Sequence, residues 1–240
     1  MLVEVCANSL QSALIAQEAG ADRIELCSEL AVGGITPSYG LLKAVGEKIS
    51  IPVNVLIRPR SGDFTFSDEE FDIMKTNIAL CREMGFNGIV SGALHPDCSL
   101  DVERTKELIA ATGDLNFTFH RAFDWVTDPH GVLEVLESLG VHSILTSGQQ
   151  TSAPMGLALL ENLHQQAKNC VIMPGSGVNQ HNVHQFKEKG FKAVHLSAAR
   201  FCKTLKENPK VPMNSASFLY DDGIAVSNLD ILKAVVKTVK

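Results

Sequence analysis

The feature that most constrains this chain is a recurrence. Eight times, a short run rich in β-branched residues is followed by a turn and an amphipathic segment. LVEVCA precedes LQSALIAQEAG, DRIELCS precedes YGLLKAVGEK, PVNVLIRPR precedes DEEFDIMKTNIALCREMG, and NGIVSGAL precedes DVERTKELIAAT. NFTFHRAF then precedes PHGVLEVLESLG, SILTSG precedes MGLALLENLHQQAK, CVIMPGSGV precedes QHNVHQFKEKG, and KAVHLSA precedes a closing NLDILKAVVKTV. The helical segments carry apolar residues three and four apart, as at Phe71, Met74, Ile78 and Cys81, which is the stripe a helix buries on one side. The strands lie too far apart for hairpins. Eight such units in 240 residues, 45% of them apolar, predict an α/β fold, a closed (β/α)8 TIM-type barrel with a single domain spanning residues 1–240. A doubly wound open sheet is the rival, but CANSLQS after the first strand lacks the glycine fingerprint of that fold. The segment 201–226, FCKTLKENPKVPMNSASFLYDDGIAV, has no strong periodicity. It is expected to be irregular, near the barrel mouth or at a subunit interface.

A formal charge of −6 with scattered basic residues argues against nucleic acid, which needs a dense cationic surface. The N-terminus MLVEVCANS has neither a basic start nor the apolar run of a signal peptide, and no stretch nears the ~20 apolar residues of a membrane span. The expected location is cytoplasmic, with no membrane partner. Six cysteines without a C-x-x-C pair predict reduced thiols rather than a disulfide framework or zinc ribbon.

Alternation along each strand sorts side chains into two faces. Val3, Val5 and Ala7 belong to the helix-facing side, leaving Glu4 and Cys6 inward; Ile24 and Leu26 do the same for Glu25 and Cys27. Strand three sends Asn54, Leu56, Arg58 and Arg60 inward, the fifth strand Thr118 and His120, the sixth Ser147, and the eighth His195 and Ser197. Buried charges are costly unless paired, so these groups are expected to meet one another or a ligand. The catalytic candidates are Glu4, Glu25, Arg58, Arg60, Asp63, His120 and Asp124. RPRSGDF places two guanidinium forks suited to carboxylate or phosphate ahead of Asp63. The competing reading joins Arg58 to Glu4 or Glu25 in a structural network. His120, at a strand's carboxyl end, is a candidate acid or base with Asp124 or Glu25 fixing its tautomer; the bland alternative is a satisfied core histidine. PGSGVN after the seventh strand suggests an anion site at Gly175 and Gly177, with Ser147 and Arg200 near it, unless the glycines only permit a tight turn. Cys6 and Cys27 fall on neighbouring strands about 4.8 Å apart. Two such thiolates suit Cu(I) in a near-linear geometry, although free cysteine is also commonly a small core residue.

The stretches VEVC, GADRIELCSELAVGGITPS, IPVNVLIRPRSGDF, TFHRAFD, ILTSG and IMPGSGV together resemble the CutC family, named for copper homeostasis, over about the first 200 residues. The resemblance implies a TIM-type barrel in a cytoplasmic homo-oligomer that binds or traffics copper; the symmetry common to such assemblies makes a homodimer or homotetramer the expectation. It strengthens Cys6 and Cys27 as metal ligands, and it supplies no agreed reaction. Two functions follow as expectations: a copper homeostasis protein binding Cu(I), or a barrel enzyme acting on a small anionic metabolite, a carboxylate or phosphate. No organic cofactor is implied.

Overall fold

A computed structural model describes residues 1–211 and 223–240. Eight parallel strands alternate with helices: β1 (Leu2–Ala7), α1 (Leu10–Glu18), β2 (Arg23–Leu26), α2 (Tyr39–Lys48), β3 (Val53–Leu56), α3 (Asp68–Glu83), β4 (Gly88–Ser91) and α4 (Val102–Thr112). The series continues with β5 (Asn116–Phe119), α5 (Pro129–Ser138), β6 (Ser143–Thr146), α6 (Leu157–Gln166), β7 (Val171–Pro174), α7 (Val183–Glu188) and β8 (Ala193–Leu196). The hydrogen-bonded order is β7-β6-β5-β4-β3-β2-β1-β8. The two end strands, β7 and β8, lie side by side and complete a nearly closed barrel. No helix among the described residues is long and apolar enough to cross a membrane.

The two faces expected from alternation form separate apolar clusters. Val3, Val5, Ile24, Val55, Ile57, Phe117 and Phe119 belong to the main core between strands and helices. Inside the barrel, Leu145, Met173 and Ala193 form one small cluster, while Cys6, Cys27, Leu56 and Val90 form another. Helix starts follow local chemistry: Ser38 caps α2 through the Leu41 N–H. Ser67 and Glu70 make a reciprocal capping box at α3, which satisfies two otherwise orphaned donors.

Part of the segment expected to be irregular is strand. β9 (Ala199–Lys203) pairs antiparallel with β10 (Gly223–Ser227), and α8 (Leu229–Val239) follows, capped by Asn228. Residues 212–222 of that segment lie outside the described residues.

Candidate functional site

Strand register brings the charged lumen groups together. Glu4 sits opposite Arg23 on one side and opposite His195 on the other, with Cys6 beside Glu25 one layer nearer the carboxyl ends. Arg23 Nε donates to Glu4 Oε2 at 2.6 Å. His195 Nδ1 lies 2.9 Å from Glu4 Oε1 and 4.0 Å from Glu25 Oε2. Glu4 is fully buried. Burial opposes its charge, but the His195 hydrogen bond and the Arg23 guanidinium outweigh that and hold its carboxyl below the usual range. Burial likewise opposes an imidazolium at His195, yet Glu25 and Glu4 raise its pKa overall. Glu25 goes the other way, pushed up by burial with only partial relief from His195, and its Oε2 has no hydrogen-bond partner.

The thiols adjoin this cluster. Cys6 Sγ lies 3.4 Å from Cys27 Sγ and 3.5 Å from Glu25 Oε1. The contact with Cys27, followed by burial, holds the Cys6 thiol well above its usual pKa, so Cys6 rests as a thiol. Cys27 is wholly buried. Its neighbour Gly34 has a positive φ of 88°, and a Cβ there would sit 2.6 Å from Leu56 Cδ2 and 3.4 Å from Cys27 Cβ. The remaining cysteines are also free, with Cys81 and Cys170 buried and Cys202 exposed.

Above the cluster opens a cavity of about 1140 Å³ at the carboxyl ends of the strands, lined among others by Cys6, Glu25, Arg58, His120, His195 and Arg200. Arg58 is inward and buried, but it does not join Glu4 or Glu25. Its guanidinium donates to the carbonyls of Val32, Gly34 and Gly62 and stacks over Phe64, clamping two loops. The expected Arg58–Glu network is instead made by Arg23. Arg60 is not in the lumen: β3 ends at Leu56, the alternation runs on only as far as Arg58, and Arg60 pairs with Glu70 and Asp63 in the loop. Asp63 accepts from Thr65 N–H and stays outside the cavity lining.

His120 lines the cavity, but neither Asp124 nor Glu25 sets its tautomer. Its Nδ1 accepts from the Ala122 N–H at 3.3 Å and so caps the short 3₁₀ turn Arg121–Trp125. Burial, reinforced by the Arg58 charge, pushes its pKa down to about 3. Asp124 accepts from the Ser147 and Gln149 N–H groups and pairs with Arg121 at 2.8 Å. Ser147 is fully buried against Asp124 and Gln150, not turned to the cavity. Of the anion-site candidates, Gly177 and Arg200 line the cavity while Gly175 and Ser147 do not. Gly175 allows close packing, since a Cβ there would lie 2.5 Å from Leu145 Cδ1.

Arg23 is the charged lumen residue that sequence reasoning passed over. Its signal was the alternation already used for Glu25 and Cys27, because Arg23 shares their parity in DRIELC.

Comparison with known proteins agrees with this architecture. A solved structure described as a copper homeostasis protein CutC from Streptococcus agalactiae superposes with a TM-score of 0.78 and 33% identity, covering 82% of this chain and 98% of that one. A family protein CutC from Photorhabdus laumondii is 49% identical over 198 residues, 82% of this chain and 80% of that protein. A family protein CutC from Edwardsiella ictaluri is 50% identical over 198 residues, 82% and 79% of the two chains. The family model for the CutC family matches residues 1–200, and the chain therefore belongs to the CutC family.

Proposed function

We propose that this protein binds Cu(I) as cargo in copper homeostasis, through Cys6 and Cys27. The single observation that carries the reading is the 3.4 Å approach of two unoxidised sulfurs from adjacent strands. Paired soft donors fit a soft monovalent ion. Because Cys6 rests as a thiol, binding displaces its proton and strengthens as pH rises. Six free cysteines suit a reducing cytoplasm. The family resemblance supports a homo-oligomer, a homodimer or homotetramer by the symmetry common to such assemblies, for which exposed Tyr39, Trp125 and Phe201 offer apolar contact surface. The test is competition of the purified protein against a Cu(I) chelator. Cys6→Ser/Cys27→Ser should lose Cu(I) binding and Arg58→Ala should keep it; retention by the double variant overturns the reading.

A second reading is favoured by the cavity. Its volume of about 1140 Å³ reaches the upper range of small-molecule sites, about 300–1,000 Å³, and far exceeds what one ion needs. In this reading the barrel acts on a small anionic metabolite. The Glu4–His195 pair at its floor supplies an oriented acid or base, and Arg200 and the Gly177 backbone supply the anion contacts. A purely structural barrel would close its own mouth. Thermal-shift screening of metal-free protein against carboxylates and phosphates checks this reading: a stabilising ligand lost in His195→Asn supports it, and absence of any shift counts against it.

A further inference from the structure

Cys6, Glu25 and His195 each offer a donor atom within 4.8 Å of the other two. All three line the cavity, and all are at least nine-tenths buried. Cys27 does not line the cavity. A second feature points to a ligand here: Glu25 Oε2 is buried without any hydrogen-bond partner, and an unmatched carboxylate oxygen at that depth is costly.

We propose that these three side chains form a site for a divalent cation of the zinc type, separate in composition from the thiol pair. Charge decides the valence. With Cys6 as thiolate, Glu25 as carboxylate and His195 neutral, the donors carry −2, which a divalent ion neutralises inside a low-dielectric barrel. A monovalent ion leaves −1 buried. Glu4 adds no charge to the count because Arg23 pairs with it. The mixed sulfur, nitrogen and oxygen set is one that zinc accepts, and three protein ligands with an open fourth position mark a reactive rather than a structural site. That fourth position faces the cavity, where an oxygen of a small anionic molecule completes the shell. Glu4 holds the His195 ring through Nδ1 and Arg23 holds Glu4, the outer support such ligands need. Metal–ligand bonds of about 2.0–2.3 Å place tetrahedral donors roughly 3.3–3.7 Å apart; Cys6 Sγ and Glu25 Oε1 already lie 3.5 Å apart, and the widest separation in the set, within 4.8 Å, has about 1 Å at most to close. The ion enters as the Cys6 proton, together with any proton held by Glu25 or by the ligating nitrogen of His195, leaves to solvent, and no redox step is involved. This inference goes beyond the copper reading, since it requires Glu25 and His195 and does not require Cys27.

The experiment titrates chelator-treated, full-length protein with Co(II) as a spectroscopic probe, then displaces it with Zn(II). The expected result is a thiolate-to-cobalt charge-transfer band together with visible bands of tetrahedral intensity, both removed by Zn(II). Cys27→Ser should keep the spectrum and Cys6→Ser should lose the charge-transfer band. Glu25→Gln and His195→Asn should each weaken affinity by more than the roughly 10–100-fold that loss of an outer partner costs. Glu25→Gln is close to isosteric, and circular dichroism checks that it folds. The proposal is overturned if wild type gives no such spectrum, or if the spectrum survives Glu25→Gln and vanishes in Cys27→Ser. Cu(I) competition run in parallel separates the two ideas. Cu(I) binding without Co(II) binding sinks this site and spares the copper reading, and the opposite outcome spares this site alone.

Discussion

His120 shows how one residue can look catalytic in sequence and serve the backbone in the fold. Its Nδ1 accepts the Ala122 N–H, so that nitrogen carries no proton, and the neutral ring packs 4.7 Å from Phe64. Burial and Arg58 hold its pKa near 3, against about 6.5 when unfolded. The unfolded chain therefore takes up a proton below pH 6.5 that the folded chain refuses until about 3. Stability is unaffected above that window and declines as pH falls through it, by about 1.4 kcal/mol per pH unit. His120→Asn keeps an acceptor for Ala122 but does not titrate. Urea melts from pH 7 to 4 should show a shallower acid loss for the variant than for wild type; parallel curves would contradict this account.

The loop between β2 and α2 belongs to the scale of elements. It folds back through an isolated bridge between Ser28 and Ile35, and Arg58 fastens it from β3's carboxyl end by bonding Val32 and Gly34. Gly34, at φ 88°, is the point where this loop presses on Leu56 and Cys27. Gly34→Ala is expected to cost about 1–3 kcal/mol through combined backbone strain and overpacking, measured as a lowered melting temperature. Because the clash falls on Leu56, which packs against Cys6 and Cys27 inside the barrel, reaction of the buried thiols with a disulfide reagent should also quicken. At α3, Ser67→Ala removes half of the capping box and should cost about 0.5–2 kcal/mol, with metal binding unchanged because the cap lies on the outer helical layer.

Across the whole molecule, closure makes the site. The E-x-C pairs of β1 and β2 meet through their own register, and the cluster gains an imidazole only because β8 lies on the other side of β1, adding His195 from 191 residues away in sequence. Helix α8 secures that end by packing on α1, α7 and β1, with Leu232 fully buried. Leu232→Ala should destabilise by about 2–5 kcal/mol, and cooperative loss of the His195–Glu4 contact should accompany unfolding rather than precede it.

By itself the sequence determined the eight βα units, the inward parity of Glu4, Cys6, Glu25, Cys27, Arg58, His120 and His195, and the family. These follow from local periodicity, which a strand or helix expresses wherever it folds. Tertiary structure decided which inward groups meet. Register paired Glu4 with Arg23 and not Arg58, and the end of β3 at Leu56 turned Arg60 outward to Glu70. The backbone beyond β5 claimed His120 as a cap, while Asp124 and Ser147 bonded to each other instead of facing the cavity. Alternation states the side of a strand. It carries no information about strand stagger around the barrel or about backbone donors left unpaired at strand ends, and those two quantities select each side chain's partner.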